Sequence, residues 1–596
     1  MLVGGAAFSR EIELAIERAD AVVALWSKTS ITSDWVRDEA GQARDTGKLI
    51  PALLDDCLPP LGFRQYHAVD LIRWRGSGKD PGFVALSDAI ARPRRSPVNL
   101  AAPTRAPVSR RAAFIGGGAF AVAAAAGGIA WQGGLFSPTI EGNSIAVLPF
   151  ANISGDAQQS YFSAGLSEEV RATLSRDARL RVMAPASIAR FADDGLTPVQ
   201  LAARLGVASI LSGSVRRGTD IVRVVANLVE GKRGFTIWSQ SFDHSLGDVL
   251  AIESEIAATV AKALAERVGS KKTPVQRVSA SANAVAYDAY LRGRDLYSRI
   301  TDAAAAQAAL KQFDIAIAAD PQFAAAYAAR ARTLYIVASQ FGAPSTLRAT
   351  YGEALAAADQ ATKLAPDLPD AQSTLAYILF QGLLRVGDAR DYYRRSRATG
   401  SGDASILGRF AIYAAATGDT AGARDAMDRA LLIDPFNPLI HRVAGYVAYA
   451  RRDYPRAIDA LRQSLVLNPQ LLDAHAWTGD AKFALRDLAG ARASYRAEPH
   501  ELLRLTGLAI VEQVEGNRDI ARQYLATLVT RFGDSSTYQQ AQILAQSGDV
   551  AGALARLEHA ASVPDVGLMY GRSDPLLDPL RKEARFQRLL SSLGFV

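Results

Sequence analysis

Two histidines, His441 and His475, stand 34 residues apart. A metal pair and a pair of equivalent positions in a repeated unit both produce that spacing, and repeat equivalence produces it without a metal, so no metal site is assigned. Elsewhere the chemistry-bearing residues are scattered. Asp156 lies in the turn Ile153-Ser154-Gly155-Asp156, Glu168 and Glu169 fall on an amphipathic helix, and His244 closes a strand. We read these as a turn residue, surface helix residues and a strand-end residue. The chain contains no GxxxxGK phosphate loop, no GxGxxG after a strand, no HExxH and no GxSxG. Cys57 is the single cysteine, which excludes an intrachain disulfide and any zinc site built from several thiolates.

The elements that must position such residues fall into several units, as expected for 596 residues. The formal charge of +7 comes from dispersed basic residues, and we expect no nucleic-acid partner. The tightest basic group, Arg92, Arg94, Arg95, Arg105, Arg110 and Arg111, forms a linker over 91–111. It precedes twenty uncharged residues, 112–131. At 1.5 Å per residue these match the ~30 Å hydrocarbon core, so one transmembrane helix is expected there. By the positive-inside rule the N-terminus would be cytoplasmic and everything after Trp131 periplasmic, in a single-pass bacterial inner-membrane protein.

In the first 90 residues, apolar runs at 21–26 and 49–54 alternate with helical stretches, implying a parallel sheet covered on both faces. The wording GGAAFSREIELAIERADAVVALWSKTSITSDWVRDEAGQA, GKLIPALLDD and GFRQYHAVDL resembles a bacterial TIR (Toll/interleukin-1 receptor) domain. The resemblance implies a flavodoxin-like α/β segment that self-associates as an adaptor or cleaves the nicotinamide–ribose bond of NAD. In the second case it places Glu39 in the catalytic position and Trp35 and Phe8 in substrate-binding ones, with NAD as substrate and no certain cofactor. Members of the family begin with a strand, a helix and a second strand ahead of the segment resembling Leu2 to Phe8. Their absence here leads us to expect a partial domain without its central strand, from a start assigned too far downstream or a decayed remnant, and poor NAD cleavage.

Residues 143–267 alternate strands and helices. A helix over 198–206 closes on Gly206, and Gly231-Lys232-Arg233-Gly234 marks a hairpin. The wording IAVLPFANISGD, YFSAGLSEEV, LAARLGVASILSGSVRR and IWSQSFD resembles the TolB-like module of bacterial proteins that pair a cytoplasmic signalling domain, often an adenylate-cyclase-type one, with tetratricopeptide (TPR) repeats. No cyclase domain occurs, so the resemblance implies a binding module.

Pro435 and Pro469 are 34 residues apart, the TPR period. With these prolines closing each second helix, Gly445 and Gly479 fall where helices cross, Ala457 and Ala491 at the small position of the second helix, and Leu461 and Tyr495 one turn on. Ala309, Phe313 and Ala316 before Pro321, and Ala354 and Ala358 before Pro366, keep the frame. A repeat near Gly408 to Ala430 is expected to lack its closing proline. The repeats span 285–560 and form an all-α superhelix, and 561–596 a helical cap. The resulting expectation is a membrane-anchored signalling scaffold that binds protein or peptide ligands on the concave TPR face. The alternative is a TIR-type NAD glycohydrolase whose true N-terminus lies upstream.

Overall fold

The computed structural model describes scattered residues between 19 and 91 and most of 142–595. The longer stretches outside it are 1–18, 92–141 and 269–280. The chain divides into two compact units, at Met1–Ala123 and Ala124–Val596.

In the first unit β1 (Val22–Trp26), β2 (Leu49–Leu53) and β3 (Val69–Asp70) form a parallel sheet in that order. Val22 pairs with Leu49, and Ala52 with Val69. The apolar runs fit this role because a parallel strand is covered on both sides. Trp26 is fully buried and packs 5.0 Å from Phe63. β1 is an edge of this sheet among the described residues. Helix α1 (Pro81–Ala91) follows β3 and brings Phe83 onto Trp74, 5.1 Å between ring centres.

The second unit begins with a mixed sheet of β4 (Ser144–Val147), β5 (Ala151–Asn152), β6 (Arg181–Val182), β7 (Ser209–Arg217), β8 (Ile221–Glu230) and β9 (Thr236–Ser245). Its order is β6-β4-β7-β8-β9, with β5 beside β7. Helix α2 (Ser160–Ser175) packs Leu166, Val170 and Leu174 into one core. On the other face, α3 (Pro185–Ala189) and α4 (Pro198–Leu205) bury Ile188, Leu201 and Leu205. Thr197 and Gln200 form a capping box at the start of α4, and Gly206 ends it at φ 65°. That left-handed position favours glycine. The hairpin at 231–234 is also present, with Glu230 donating to the Phe235 carbonyl.

The expected membrane helix is corrected. No described helix is long and apolar enough to cross a membrane, and residues 112–131 lie outside the described residues. Helix α5 (Val249–Val268) shows why length alone is insufficient: its 20 residues would span a bilayer. It is amphipathic, however, burying Ile252, Ile256, Val260 and Leu264 and exposing Glu255 and Lys262. In 112–131, Ala and Gly fill fourteen of twenty places, and each removes little apolar area from water. The single-pass inner-membrane placement, with its cytoplasmic and periplasmic halves, falls with the helix.

Helix pairs then stack. They are α6/α7 (Ala284–Ser298, Ala303–Ala319), α8/α9 (Ala324–Ile336, Leu347–Leu364), α10/α11 (Pro369–Tyr377, Val386–Thr399) and α12/α13 (Ala404–Thr417, Thr420–Ile433). Next come α14/α15 (Pro438–Ala450, Tyr454–Leu467), α16/α17 (Ala474–Ala484, Leu488–Ala497), α18/α19 (Glu501–Val514, Arg518–Phe532) and α20/α21 (Thr537–Ser547, Val550–Ser562). The crossing glycines are required. A Cβ on Gly445 would lie 2.5 Å from Leu461, and one on Gly479 2.5 Å from Tyr495.

The pair near Gly408 to Ala430, α12/α13, closes at Pro435 after all, and the pairs without a closing proline are α10/α11 and α18/α19; α10/α11 ends at Gly400-Ser401-Gly402. A Cβ on Gly402 would collide with the Ser175 carbonyl at the end of α2, so contact with the α/β domain sets the residue here. The chain finishes with a 3-10 turn (Pro575–Leu580) and α22 (Ala584–Ser592).

A candidate ligand-binding inner face

On each first helix of a pair, residues at spacings of three and four share a face. The residue after the small crossing residue sits on that face in several repeats: Arg294 after Gly293, Arg332 after Ala331, Tyr377 after Ala376, Tyr446 after Gly445 and Asp480 after Gly479. Stacking sets them in a row along the inside of the array.

The row begins at the α/β domain. Arg294 pairs with Glu169, which also accepts from the Tyr290 hydroxyl at 3.4 Å. Glu168 faces Arg294 at 3.7 Å and Arg171 at 2.7 Å. Burial raises the Glu168 pKa, and the two arginines outweigh that and hold it below the usual carboxylate range. Glu168 and Glu169 are therefore contacts between the α/β domain and the first repeat, not the surface residues expected. Beside them Tyr161 and Arg217 both donate to Asp288, each at 2.6 Å. A second junction joins Ser187 to Asp434 at 2.6 Å and sets Phe191 edge-on to Phe436 at 4.9 Å.

From there Arg332 reaches both Asp370 oxygens, at 2.6 and 2.7 Å, and Arg409 approaches the same carboxylate at 3.5 Å. Burial pushes the Asp370 pKa up, but Arg332, Arg409 and Arg294 together lower it. Arg332 stacks on Tyr297, Arg409 on Tyr377 and Arg442 on Trp477, at 5.5 to 5.9 Å from the ring centres. Arg442 donates to the Leu472 carbonyl and to Asp473, at 3.0 and 3.2 Å. Asp473 itself sits at φ 70°, with Glu498 accepting its backbone N–H and His500 3.1 Å from its carboxylate. That contact raises the His500 pKa. All three arginine side chains stay partly accessible, at 24% for Arg332, 16% for Arg409 and 25% for Arg442.

Further along, the inner face is filled by the chain's own C-terminal segment. Tyr570 packs 4.9 Å from Tyr446, and the Arg572 guanidinium donates to the Thr417 carbonyl. Asp574 is buried and accepts from Tyr538 and Gln542, each at 2.7 Å. Phe586 and Leu590 join the core of the middle repeats, and Val386 donates to the Leu593 carbonyl. The segment expected to be a terminal cap is thus an inner lining.

Of the residues singled out in the sequence, Glu39, Trp35 and Phe8 lie outside the described residues. His441 donates to the Pro435 carbonyl at 2.8 Å, and burial lowers the pKa of its ring. His244 lies 3.3 Å from Glu255.

Residues 1–86 match the model of the TIR domain, and residues 408–471 and 442–501 match that of the tetratricopeptide repeat. The chain carries a TIR domain and tetratricopeptide repeats. It is also similar to a protein named "Putative adenylate cyclase 3" of Rhizobium meliloti (strain 1021), at 33% identity over 187 residues. That match covers 31% of this chain and 31% of that protein. Among solved structures, an IFIT1 monomeric mutant with m7Gppp-AAAA aligns at 14% identity and a TM-score of 0.34, covering 52% of this chain and 77% of that one. Pseudomonas aeruginosa pilF aligns at 22% and 0.27, covering 34% and 92%. With these domains the chain has the make-up of a signalling and protein-interaction scaffold.

Proposed function

We propose that this chain is a signalling scaffold whose TPR inner face binds an extended segment of a partner protein. The observation that carries the reading is the row of partly accessible arginines stacked on aromatic rings, from Arg332 to Trp477. Rigid, preoriented side chains of that kind lose little entropy on binding. The domain over 143–267 is read as a TolB-like binding module clasped to the first and middle repeats. Selecting a random peptide display library on the full-length chain tests the proposal. Enriched peptides should bind Tyr377→Ala and Arg409→Gln variants more weakly. Equal binding to both variants would move the contact surface elsewhere and overturn the reading.

A second reading follows from the TIR match over residues 1–86: NAD cleavage with Glu39 stabilising the developing oxocarbenium charge and Trp35 and Phe8 holding the substrate. By this reading any nicotinamide release, expected to be poor for this chain, is abolished by Glu39→Ala. Equal release by both proteins would remove Glu39 from that role.

A further inference from the structure

Resting on the scaffold reading, we propose that the stretch of inner face carrying Arg332, Arg409 and Arg442 is a docking site for an acidic segment of a partner protein. Three features lead there. The first is where the face remains available. At one end Glu168 and Glu169 already engage Arg294, and at the other Tyr570 covers Tyr446 and stands 6.1 Å from Trp477. Arg294, although 25% accessible, is already engaged by two carboxylates, and between these boundaries Arg332, Arg409 and Arg442 are partly accessible with fewer carboxylates than guanidinia.

The second is an excess of donors. Each guanidinium carries five N–H groups, whereas three guanidinia share two carboxylates, Asp370 and Asp473, and Asp473 is also held by His500. The Nε atoms of Arg332 and Arg442 are buried without a hydrogen-bond partner. Among the described residues the polar contacts of Arg409 are long, at 3.5 Å to Asp370 and 3.4 Å to the Ser405 carbonyl. A carboxylate entering here completes hydrogen bonds that the chain leaves open, and charge-assisted pairs to arginine are the stronger kind.

The third is the pattern of charge. Asp370 and Asp473 alternate with the arginines, and Glu168 and Glu169 form the wall at one end. A nucleic acid brings a phosphate at every nucleotide and would meet these carboxylates repeatedly. An extended peptide instead spaces same-side residues roughly 6.6 Å apart and can offer carboxylates to the arginines while passing the aspartates with neutral residues. Tyr297, Tyr377 and Trp477 supply apolar surface for those neutral residues.

The test is fluorescence anisotropy with the full-length chain and a fluorescein-labelled nonapeptide of alternating glutamate and tyrosine. Controls are the lysine–tyrosine counterpart and a labelled oligoadenylate RNA. The acidic peptide should bind, the basic one should not, and raising NaCl should weaken the complex. Arg409→Glu should weaken it about tenfold or more, and Arg409→Gln, which keeps a polar side chain, by less. Arg522→Glu on the exposed side of α19 should leave it unchanged, and thermal melts should show the variants folded. Equal binding of the two peptides, or no effect of either Arg409 variant, overturns the proposal. Tighter binding of the RNA with the same Arg409 dependence overturns it in favour of a nucleic-acid site. If library-selected peptides bind through Tyr377 while the acidic probe does not, this site falls and the scaffold reading stands.

Discussion

The two halves of the inner face use the same repeat position in opposite ways. After the small crossing residue the first repeats place Arg294 and Arg332, whereas α16 places Asp480. Arg332 remains partly open, with a carboxylate and a tyrosine ring beside it. Asp480 faces Tyr495, whose hydroxyl donates to it at 2.7 Å, and lies in the part of the array that the C-terminal segment lines. A repeat thus fixes where a side chain points, and the neighbour across the superhelix decides whether it binds a partner or holds the fold together.

The contrast breaks most visibly at Asp574. Replacing it with alanine strands the buried donors of Tyr538 and Gln542 and should cost about 3 kcal/mol. Urea unfolding measures this, and a loss near zero would mean that the segment is not held by its carboxylate. A subtler effect concerns Asp480, whose pKa burial pushes up to about 8. Between about pH 4 and about pH 8 the folded chain keeps a proton there that the unfolded chain has lost. Stability from this site therefore falls as pH rises through that window and levels off above it. Asp480→Asn should flatten the melting profile between pH 5 and 8, and parallel profiles would remove Asp480 as the cause. The smallest change is expected in the open half, where Arg332→Gln should cost under about 1 kcal/mol because the pair is partly solvated. A loss as large as that of Asp574→Ala would erase the distinction between the halves.

Much of the framework was legible because local rules write it. Pro435 and Pro469, with Gly445 and Gly479, set the repeat frame, and Gly206 ends α4 as read. The parallel order of the first unit followed from its alternating apolar runs. The inner-face row was also readable in principle, since each member follows a crossing residue that the frame locates, but it needed the frame extended through Gly293, Ala331 and Ala376.

Long-range contacts were not legible. Glu168 and Glu169 look like any exposed helix pair until Arg294 arrives from more than a hundred residues away. The C-terminal segment reads as an amphipathic end, and only closure of the superhelix brings Asp574 to Tyr538. The Ala/Gly run at 112–131 had length without the apolar bulk of a firm membrane signal.

Hydrogen exchange of the full-length chain, with and without a library-selected peptide, tests the central claim most directly. Added protection centred on α8, α10, α12 and α14, and reaching α16 at Trp477, would place the partner on the arginine-bearing stretch, as predicted. Protection confined to α16 and α20, or release of the segment around Asp574, would contradict the account by showing that partners enter the half that the chain already fills.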